Sequence, residues 1–560
     1  MCGIWALFGF EENTTSQLLC NFQNISHRGP DATRLETVQN IKNCRLGFHR
    51  LAIVGGVNGM QPLQIKKYPN IRLLCNGEIY NCNRLAAQYG DEYETTGDVE
   101  SIVHMYGRHG ADAIRSLDGV FAICLLDVQE RKLLVARDPY GVRPLFRIRS
   151  DSGILALCSE SKGLMGLTKA MDGAKWKMEP FPPGHYEMYD IQQNGTVQLV
   201  KTVQYHKPGD KPGFQPCLPW RELSPTDIRK NIRRLMTAAV KKRLMSDRQI
   251  GCLLSGGLDS SLVAALLVKL AKENNFPYTV QTFAIGMGES PDIVAARQMA
   301  KYIGSEHHEI LFTADDVAEV LDKVIYELET FDITTIRASI GMHLISRYIK
   351  KNTDTTVIFS GEGSDELAQG YIYFRESPSP KAGHEESLRL LKDIYLFDGL
   401  RADRTTSAHG LELRVPFLDQ QFTHYYLSLD PSLRQPQDGV EKYLLRSAFD
   451  EVNLLPHNIL WRHKEAFSDG VASRRKSLFE IVQDIVEDRV DDKELDEAAV
   501  AYPHCTPKTK EALYYRKVFE AHYKGQAKDL IPYFWMPRWV QGVTDPSARF
   551  IAHYAADIEQ

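Results

Sequence analysis

Apolar and polar positions are arranged in two ways along this chain. Up to about residue 205 the apolar residues fall in many short runs broken by Gly, Pro and Asn, as in Gly119-Val120-Phe121-Ala122-Ile123-Cys124-Leu125-Leu126. Short apolar runs bounded by turn formers predict strands. A stretch holding Pro208, Pro212, Pro216, Pro219 and Pro225 follows, dense enough in proline to predict a semi-rigid linker. The pattern then changes. Ser224-Pro225-Thr226-Asp227 supplies an N-cap, a proline at the first helical position and an acid three residues after the cap. Ile228, Ile232, Leu235, Met236 and Val240 follow at helical spacing. Strand and helix alternate from there. Ile250 to Leu254 reads as a strand, Leu262 to Leu270 as a helix and Tyr278 to Ile285 as a strand. Ser290-Pro291 opens a helix that runs through Ile303. Glu309 to Phe312 is strand-like, Asp315 to Glu329 helical, and Thr355 to Phe359 a strand. Such alternation predicts a parallel sheet covered by helices. Beyond about residue 380 the patterns are mostly helical, and no internal repeat or low-complexity segment interrupts them. The expected organisation is a first domain over 1–205, a linker over 206–225, a second domain over 226–540 and a tail over 541–560.

Composition narrows the class. A chain of 560 residues exceeds one core, since a domain holds roughly 100–200 residues. Hydrophobic residues at 43% and charged residues at 25% fit a soluble globular protein. The net charge of −5 argues against a nucleic-acid binder, which needs a basic domain or stripe. No apolar run reaches the ~18 residues of a membrane helix. The N-terminus has no basic leader and meets Glu11-Glu12 at once, so it is not expected to be a secretory signal. Sequons at Asn13, Asn24 and Asn194 are then chance matches. The 10 cysteines form no CxxC pair and no metal spacing, and scattered thiols of this kind imply the cytosol.

The most informative stretch is Ser255-Gly256-Gly257-Leu258-Asp259-Ser260-Ser261. It lies between the apolar run that ends at Leu254 and the helix after it. Two glycines let the backbone bend and approach a ligand closely. Ser255, Ser260 and Ser261 offer hydroxyls, and the helix start offers N–H groups aimed at an anion. A phosphate chain fits such a turn, but no GxxxxGK[ST] occurs, so it is not the common phosphate loop. Asp259 makes sense if a divalent cation lies between it and the phosphate oxygens. A second glycine-rich turn, Ser360-Gly361-Glu362-Gly363-Ser364-Asp365-Glu366, also follows an apolar strand. In an open α/β sheet ligands sit at the carboxyl ends of the strands, so the two turns are expected to face one crevice.

In the first domain Cys2 is a candidate nucleophile. Removal of Met1 would make its own α-amine, with a reference pKa of ~7.7–8.0, the base that activates the thiol. Arg50, in His49-Arg50-Leu51-Ala52-Ile53, supplies a guanidinium suited to a carboxylate. Asn76-Gly77-Glu78 joins a side-chain amide to a flexible backbone N–H, the parts of an oxyanion hole. Thr96-Gly97-Asp98 provides an acid for an ammonium group. Arg50 and Asp98 together suit the backbone of an amino acid whose side-chain amide Cys2 attacks. Each residue alone reads as a surface ion or turn residue.

Together, SGGLDSS resembles the pyrophosphate loop of the ATP-pyrophosphatases, and Met1-Cys2-Gly3-Ile4-Trp5 resembles the start of an N-terminal-nucleophile glutamine amidotransferase. The order and length of the two resemble glutamine-hydrolysing asparagine synthetase over nearly the whole chain, least specifically after about residue 540. The resemblance implies an α/β multidomain fold: an N-terminal α-β-β-α sandwich, then a doubly wound parallel sheet with helices and a largely helical C-terminal part. It implies that HRL, NGE and GD form a glutamine site of Arg50, Leu51, Ala52, Ile53, Val54, Asn76, Gly77, Glu78 and Asp98. His27-Arg28-Gly29-Pro30-Asp31 matches a family signature with a structural role. In the second domain the resemblance places Leu253, Ile285, Ser360 and Gly361 around ATP, beside Ser255, Gly256, Gly257, Asp259 and Ser260. It puts Glu362 where the acyl-adenylate forms and makes Lys464, in Trp461-Arg462-His463-Lys464, the catalytic lysine. Arg337 and Asp365 are weaker candidates for substrate or phosphate contact, and Asp365 is a weak second metal ligand beside Asp259. Leu411 to Asp419 also looks like the family, with no role read from it beyond shaping the pocket.

The implied partners are ATP as substrate, Mg²⁺, aspartate, glutamine and ammonia as an alternative nitrogen source, with neither nucleic acid nor membrane, and a homodimer. The residues themselves leave the acid substrate open. They also leave two rivals: a β-lactam-forming relative, against which Cys2, Arg50, Asn76 and Asp98 argue, and a nucleotide or glutamine sensor, against which Asp259, Glu362 and Lys464 argue.

Overall fold

In a computed structural model, the structure describes residues 1–10, 15–167, 175–214, 224–464, 471, 477–543 and 545–546. Much of the proline-rich linker, the residues directly after Lys464, the Asn13 sequon and most of the C-terminal tail lie outside the described residues. The chain divides into two compact units. Unit one is Met1–Pro216 with Met245–Arg248 and Ser407–Glu412; unit two is Cys217–Leu244, Gln249–Thr406 and Leu413–Gln560.

Unit one contains β1 (Gly3–Phe8), β2 (Ala32–Thr37), β3 (Cys44–Arg50), β4 (Leu63–Ile65), β5 (Tyr68–Ile79) and β6 (Gly119–Asp127). It continues with β7 (Lys132–Arg137), β8 (Phe146–Ser150), β9 (Leu155–Cys158), β10 (Trp176–Pro180), β11 (His185–Ile191) and β12 (Val197–Gln204). They form two six-stranded sheets, ordered β10-β8-β9-β1-β3-β2 and β12-β11-β7-β6-β5-β4, through antiparallel pairs such as β1 with β3 and β5 with β6. Alternation along each strand decides the layering. Ile4, Ala6 and Phe8 of β1 share one core with Leu74 of β5 and Ala122 of β6. The opposite face of the second sheet, Leu73, Cys75 and Ile123, packs on Leu85 and Ile102. These belong to helices α2 (Cys82–Tyr89) and α3 (Glu100–His109), which follow α1 (Thr15–Gln23). Phe22 of α1 stacks on His49 and packs against Trp5 on the outer face of the first sheet. The layers are helix, sheet, sheet, helix, as the sequence resemblance implied.

Unit two opens with α4 (Pro225–Lys242), capped by the Ser224 side chain as expected. β13 (Gln249–Leu253), α5 (Leu258–Glu273), β14 (Gln281–Gly286), α6 (Pro291–Ile303), β15 (Glu306–Leu311), α7 (Ala314–Leu328), α8 (Ile333–Asn352), β16 (Thr355–Phe359) and α9 (Ser364–Ala368) follow, with Leu413 and Arg414 of β17 (Glu412–Arg414) at the sheet edge. The order is β15-β14-β13-β16-β17. β13 runs parallel to both β14 and β16, so connections leave in opposite directions on either side of β13. That is the doubly wound arrangement, with its switch point between β13 and β16. The remainder is mostly helical.

Two strand boundaries differ from expectation, and one helix was not expected. The Tyr278–Ile285 strand starts at Gln281, because the Tyr278 hydroxyl instead accepts the Ile250 N–H at 3.0 Å. The Glu309–Phe312 strand starts at Glu306. β15 borders the sheet, so His307 and His308 stay half-buried and hide the apolar signal. Helix α8 was not foreseen; nearly all of its first 14 residues are buried, which removes the polar stripe that marks a helix. Among the described residues no helix is long and apolar enough to cross a membrane.

Candidate active sites

In unit one the nucleophile candidate sits at the start of β1. The Cys2 N–H donates to Asn76 Oδ1 at 3.0 Å, and its Sγ lies 3.4 Å from the Leu51 N–H donor. The fully buried Arg28 donates from Nε to the Cys2 carbonyl at 2.9 Å and pairs with Glu160 at 2.5 Å. Arg28 of the HRGPD segment therefore fixes the backbone that carries the thiol. Burial raises the Cys2 thiol, and its contact with the Leu51 backbone works against that rise.

Asn76 points from β5 toward Cys2 and is itself buried, and its Nδ2 has no hydrogen-bond partner. An orphaned buried amide beside a thiol is a donor set for a developing oxyanion. Gly77 follows at φ +155°, where a Cβ would lie 2.0 Å from the Val120 carbonyl oxygen; only glycine lets β5 run this close to β6. Glu78 is buried and pairs with Arg143 at 2.6 Å, so it is held as part of the frame. Asp98 accepts the Ile79 N–H at 2.6 Å. Leu51 and Ile53 are buried, Ala52 and Val54 half-buried. Arg50 is buried with Nη2 3.4 Å from the Val54 carbonyl. Direct contacts thus join Cys2, Leu51 and Asn76. Asp98 reaches the same end of β5 through Ile79, and the Gly55 backbone beyond Val54 lies against Gly97.

In unit two, one pocket lies at the carboxyl ends of β13, β14 and β16. Leu253 lines it from the end of β13, Ser255 and Gly257 from the loop after it, Asp259 and Ser260 from the start of α5, Ile285 from β14, Ser360, Gly361 and Glu362 from the second loop and Asp365 from α9; Lys464 completes it. Gly256 stands behind the loop with φ +73°, pressed against the Ala295 backbone. Asp259 and Ser260 belong to the first turn of α5 rather than to a turn before it. The Ser260 Oγ accepts the Ser255 N–H at 3.1 Å and closes the loop on itself.

The two loops touch. A Cβ on Gly361 would approach the Asp259 Cβ to 2.8 Å, and the Ser364 hydroxyl donates to Asp259 Oδ1 at 2.7 Å. The charges interlock. Lys442 lies 2.5 Å from Asp259 and 2.7 Å from Asp365, and Lys464 lies 2.8 Å from Asp365. Burial alone would raise the Asp365 carboxyl, but Lys442 and Lys464 hold it far below the carboxylate range. Lys464 is held charged in the same way: burial opposes the charge, and Asp365 and Asp259 more than restore it. Glu362 behaves differently. Burial, reinforced by Asp398 and Asp365, pushes its carboxyl up to about 7 although Arg401 lies 2.8 Å away. A carboxyl near neutrality beside charged groups is poised to exchange a proton. Five lysines and arginines and four acids line the pocket, which suits a polyphosphate carrying a cation.

The carboxylates of Asp259 and Asp365 are donors of the type that Mg²⁺ prefers. Mg²⁺ is usually held by one or two carboxylates together with substrate phosphates. Among the described residues no group of three or more His, Cys, Asp or Glu side chains forms an all-protein metal cage. The donor set fits a metal that arrives with phosphate.

Arg337 stands apart from the other candidates, against the expectation of a substrate or phosphate contact. Its guanidinium is 3% exposed and closed by Glu511 at 2.7 Å and Asp545 at 2.8 Å, so its charge is spent on holding helix α8 to later segments. It is not among the pocket-lining residues. Lys442 and Arg401 were missed because they lie in no motif, whereas Arg28 was read from its signature as structural.

Comparisons with known proteins agree on both units. A family described as asparagine synthase matches residues 231–382 and 375–542, and a glutamine amidotransferase domain matches residues 1–199. The chain is 56% identical over 565 residues to the asparagine synthetase [glutamine-hydrolyzing] of Gallus gallus, with 100% of both chains covered. It is 55% identical over 561 residues to that of Rattus norvegicus, with 99% of each covered. It is 54% identical over 566 residues to that of Homo sapiens, with 100% of each covered.

Proposed function

The chain belongs to the glutamine-hydrolysing asparagine synthetases, and from that premise we propose how its residues divide the reaction. It is a ligase that forms a carbon–nitrogen bond, with an ATP-using synthetase domain and a glutamine amidotransferase domain. In unit two the β-carboxylate of aspartate attacks the α-phosphorus of ATP. A β-aspartyl-AMP forms and pyrophosphate departs. The SGGLDSS loop and the Lys464 ammonium take up charge on the phosphate oxygens, a type of stabilisation worth most in a site poor in water. Asp259, with Asp365 as a second contact, would hold Mg²⁺, which would supply further neutralisation of charge on pyrophosphate. Ammonia then attacks the acyl carbon, AMP leaves, and Glu362, with its carboxyl near 7, accepts the surplus proton.

In unit one, loss of Met1 frees the Cys2 amine, whose nitrogen, as the peptide N–H of the intact chain, donates to Asn76 Oδ1 at 3.0 Å. The amine takes the thiol proton, and the thiolate attacks the side-chain amide of glutamine. The oxyanion is met by the Asn76 Nδ2 and the Gly77 N–H. Ammonia leaves, and water hydrolyses the thioester to glutamate. Arg50 and Asp98 hold the carboxylate and ammonium of glutamine. Ammonia passes to the acyl-adenylate without equilibrating with solvent, because protonation would remove its lone pair. The same reading gives a cytosolic homodimer, which fractionation and sedimentation test.

The observation that carries the proposal is the meeting of the two glycine-rich loops, with Gly361 packed on Asp259 and Glu362 set beside them. The test is incubation with ATP, Mg²⁺, glutamine and each of a panel of small acids. Pyrophosphate and asparagine with aspartate alone are expected. No pyrophosphate with any acid would return the chain to the sensor reading.

A further inference from the structure

Lys442 is placed at a cost. Its backbone is left-handed, with φ +57°, a region in which a residue with a side chain is strained and which clusters at functional sites. Its side chain is 2% exposed. Room for it depends on Gly370, where a Cβ would lie 2.0 Å from the Lys442 Cε. This strained and crowded path delivers an ammonium between two carboxylates, 2.5 Å from Asp259 Oδ2 and 2.7 Å from Asp365 Oδ1. The other oxygens are also taken, Asp259 Oδ1 by the Ser364 hydroxyl and Asp365 Oδ2 by Lys464.

Two carboxylates and two ammoniums make a closed, neutral set. A divalent cation shared by Asp259 and Asp365 needs the seat that the Lys442 ammonium occupies. A bare cation that took it would drive a buried ammonium away from both its counter-charges, and an uncompensated buried charge is expensive. A cation that arrives on a polyphosphate brings its own negative oxygens. The displaced ammonium can then re-pair with phosphate while the carboxylates turn to the metal.

We propose that Lys442 is an internal counter-cation that closes the Asp259–Asp365 pair to free metal and yields it only to metal carried by a phosphate chain. Metal and nucleotide would then enter this pocket together. In between, Lys442 keeps the two glycine-rich loops joined. The inference rests on Asp259 and Asp365 being the acids that face the metal.

The test is Mn²⁺ binding to the full-length chain, read as protein-bound metal by electron paramagnetic resonance, with and without pyrophosphate. Without pyrophosphate, Lys442→Met is expected to bind Mn²⁺ at least about tenfold more tightly than wild type, and adding Asp259→Asn should abolish the gained site. With pyrophosphate the wild type should bind Mn²⁺ as well as the variant does. Equal affinities without pyrophosphate, while pyrophosphate still brings Mn²⁺ to wild type, would overturn the role of Lys442 and leave the metal reading intact. No Mn²⁺ on wild type even with pyrophosphate would overturn both. Should Lys442→Met not fold, Lys442→Gln serves in its place, and wild type alone remains decisive. Tight Mn²⁺ binding to wild type without pyrophosphate, removed by Asp259→Asn alone, would refute the inference.

Discussion

Gly361→Ala is the sharpest probe of the synthetase pocket because one methyl group decides whether two loops can meet. A Cβ at 361 would stand 2.8 Å from the Asp259 Cβ, 2.9 Å from the Asp259 carbonyl carbon and 3.0 Å from the Ser260 nitrogen. Two of these atoms are backbone in the first turn of α5, so no side-chain rotation relieves the contact. Reaching ordinary carbon–carbon separation requires a retreat of about 0.7 Å. Overpacking of this kind costs roughly 1–3 kcal/mol, so unit two should still fold. Catalysis should suffer more. A misplacement near 1 Å can cost about 10²-fold, so the exchange of labelled pyrophosphate into ATP with aspartate should fall by about ten- to a hundredfold. Glutamine hydrolysis should be unchanged. Exchange by Gly361→Ala within twofold of wild type would refute the claim that the loops work by close approach.

Cys2→Ala should end asparagine formation from glutamine and spare formation from ammonium salt, because the thiol and the adenylating residues belong to different units; continued use of glutamine would end the nucleophile assignment. Asn76→Ala should cut glutamine hydrolysis by about 10²–10³, the usual loss on deleting an oxyanion donor, with synthesis from ammonia as the internal control. Lys464→Ala should lower pyrophosphate exchange by a similar ~10²–10³ without a change in thermal unfolding large enough to account for it. Glu362 makes a pH-dependent prediction. Its carboxyl sits near 7 in the folded chain against 4.5 in its ordinary state, so between those values the folded chain holds a proton that the unfolded chain has lost. Stability contributed by that proton is present below the lower value and is lost as pH rises through about 7, by at most about 3 kcal/mol. Glu362→Gln should therefore gain in melting temperature relative to wild type at pH 8 and not at pH 5; a gap that does not grow with pH would place the carboxyl in its ordinary range.

What the sequence made legible follows from how each part of the site is built. The first glycine-rich loop is built from consecutive residues: Ser255 and Ser260 close a ring across Gly256 and Gly257, and backbone chemistry of that sort leaves a continuous string. Asn76-Gly77 stands out for the same reason, since the proposed oxyanion donors are a side-chain amide and the next backbone N–H. The cations that set the electrostatics leave no string. Lys442 meets Asp259 from 183 residues away, and Arg401 meets Glu362 from 39. A lysine or arginine in isolation looks like surface charge until the fold shows what it is pressed against. Arg337 shows the converse error. It sits in a polar, motif-like stretch, and its two carboxylate partners, Glu511 and Asp545, lie 174 and 208 residues further on. The sequence could offer a free guanidinium because the groups that consume it were out of view. Helix α8 was lost by the same logic at the level of the backbone: burial on nearly every side erases the contrast on which periodicity depends. Local backbone chemistry is therefore readable from this chain, whereas charge pairing across the pocket is a property of its tertiary structure. That is why the residue proposed to control metal entry, Lys442, emerges only when the two loops and the strained turn that carries it are seen together.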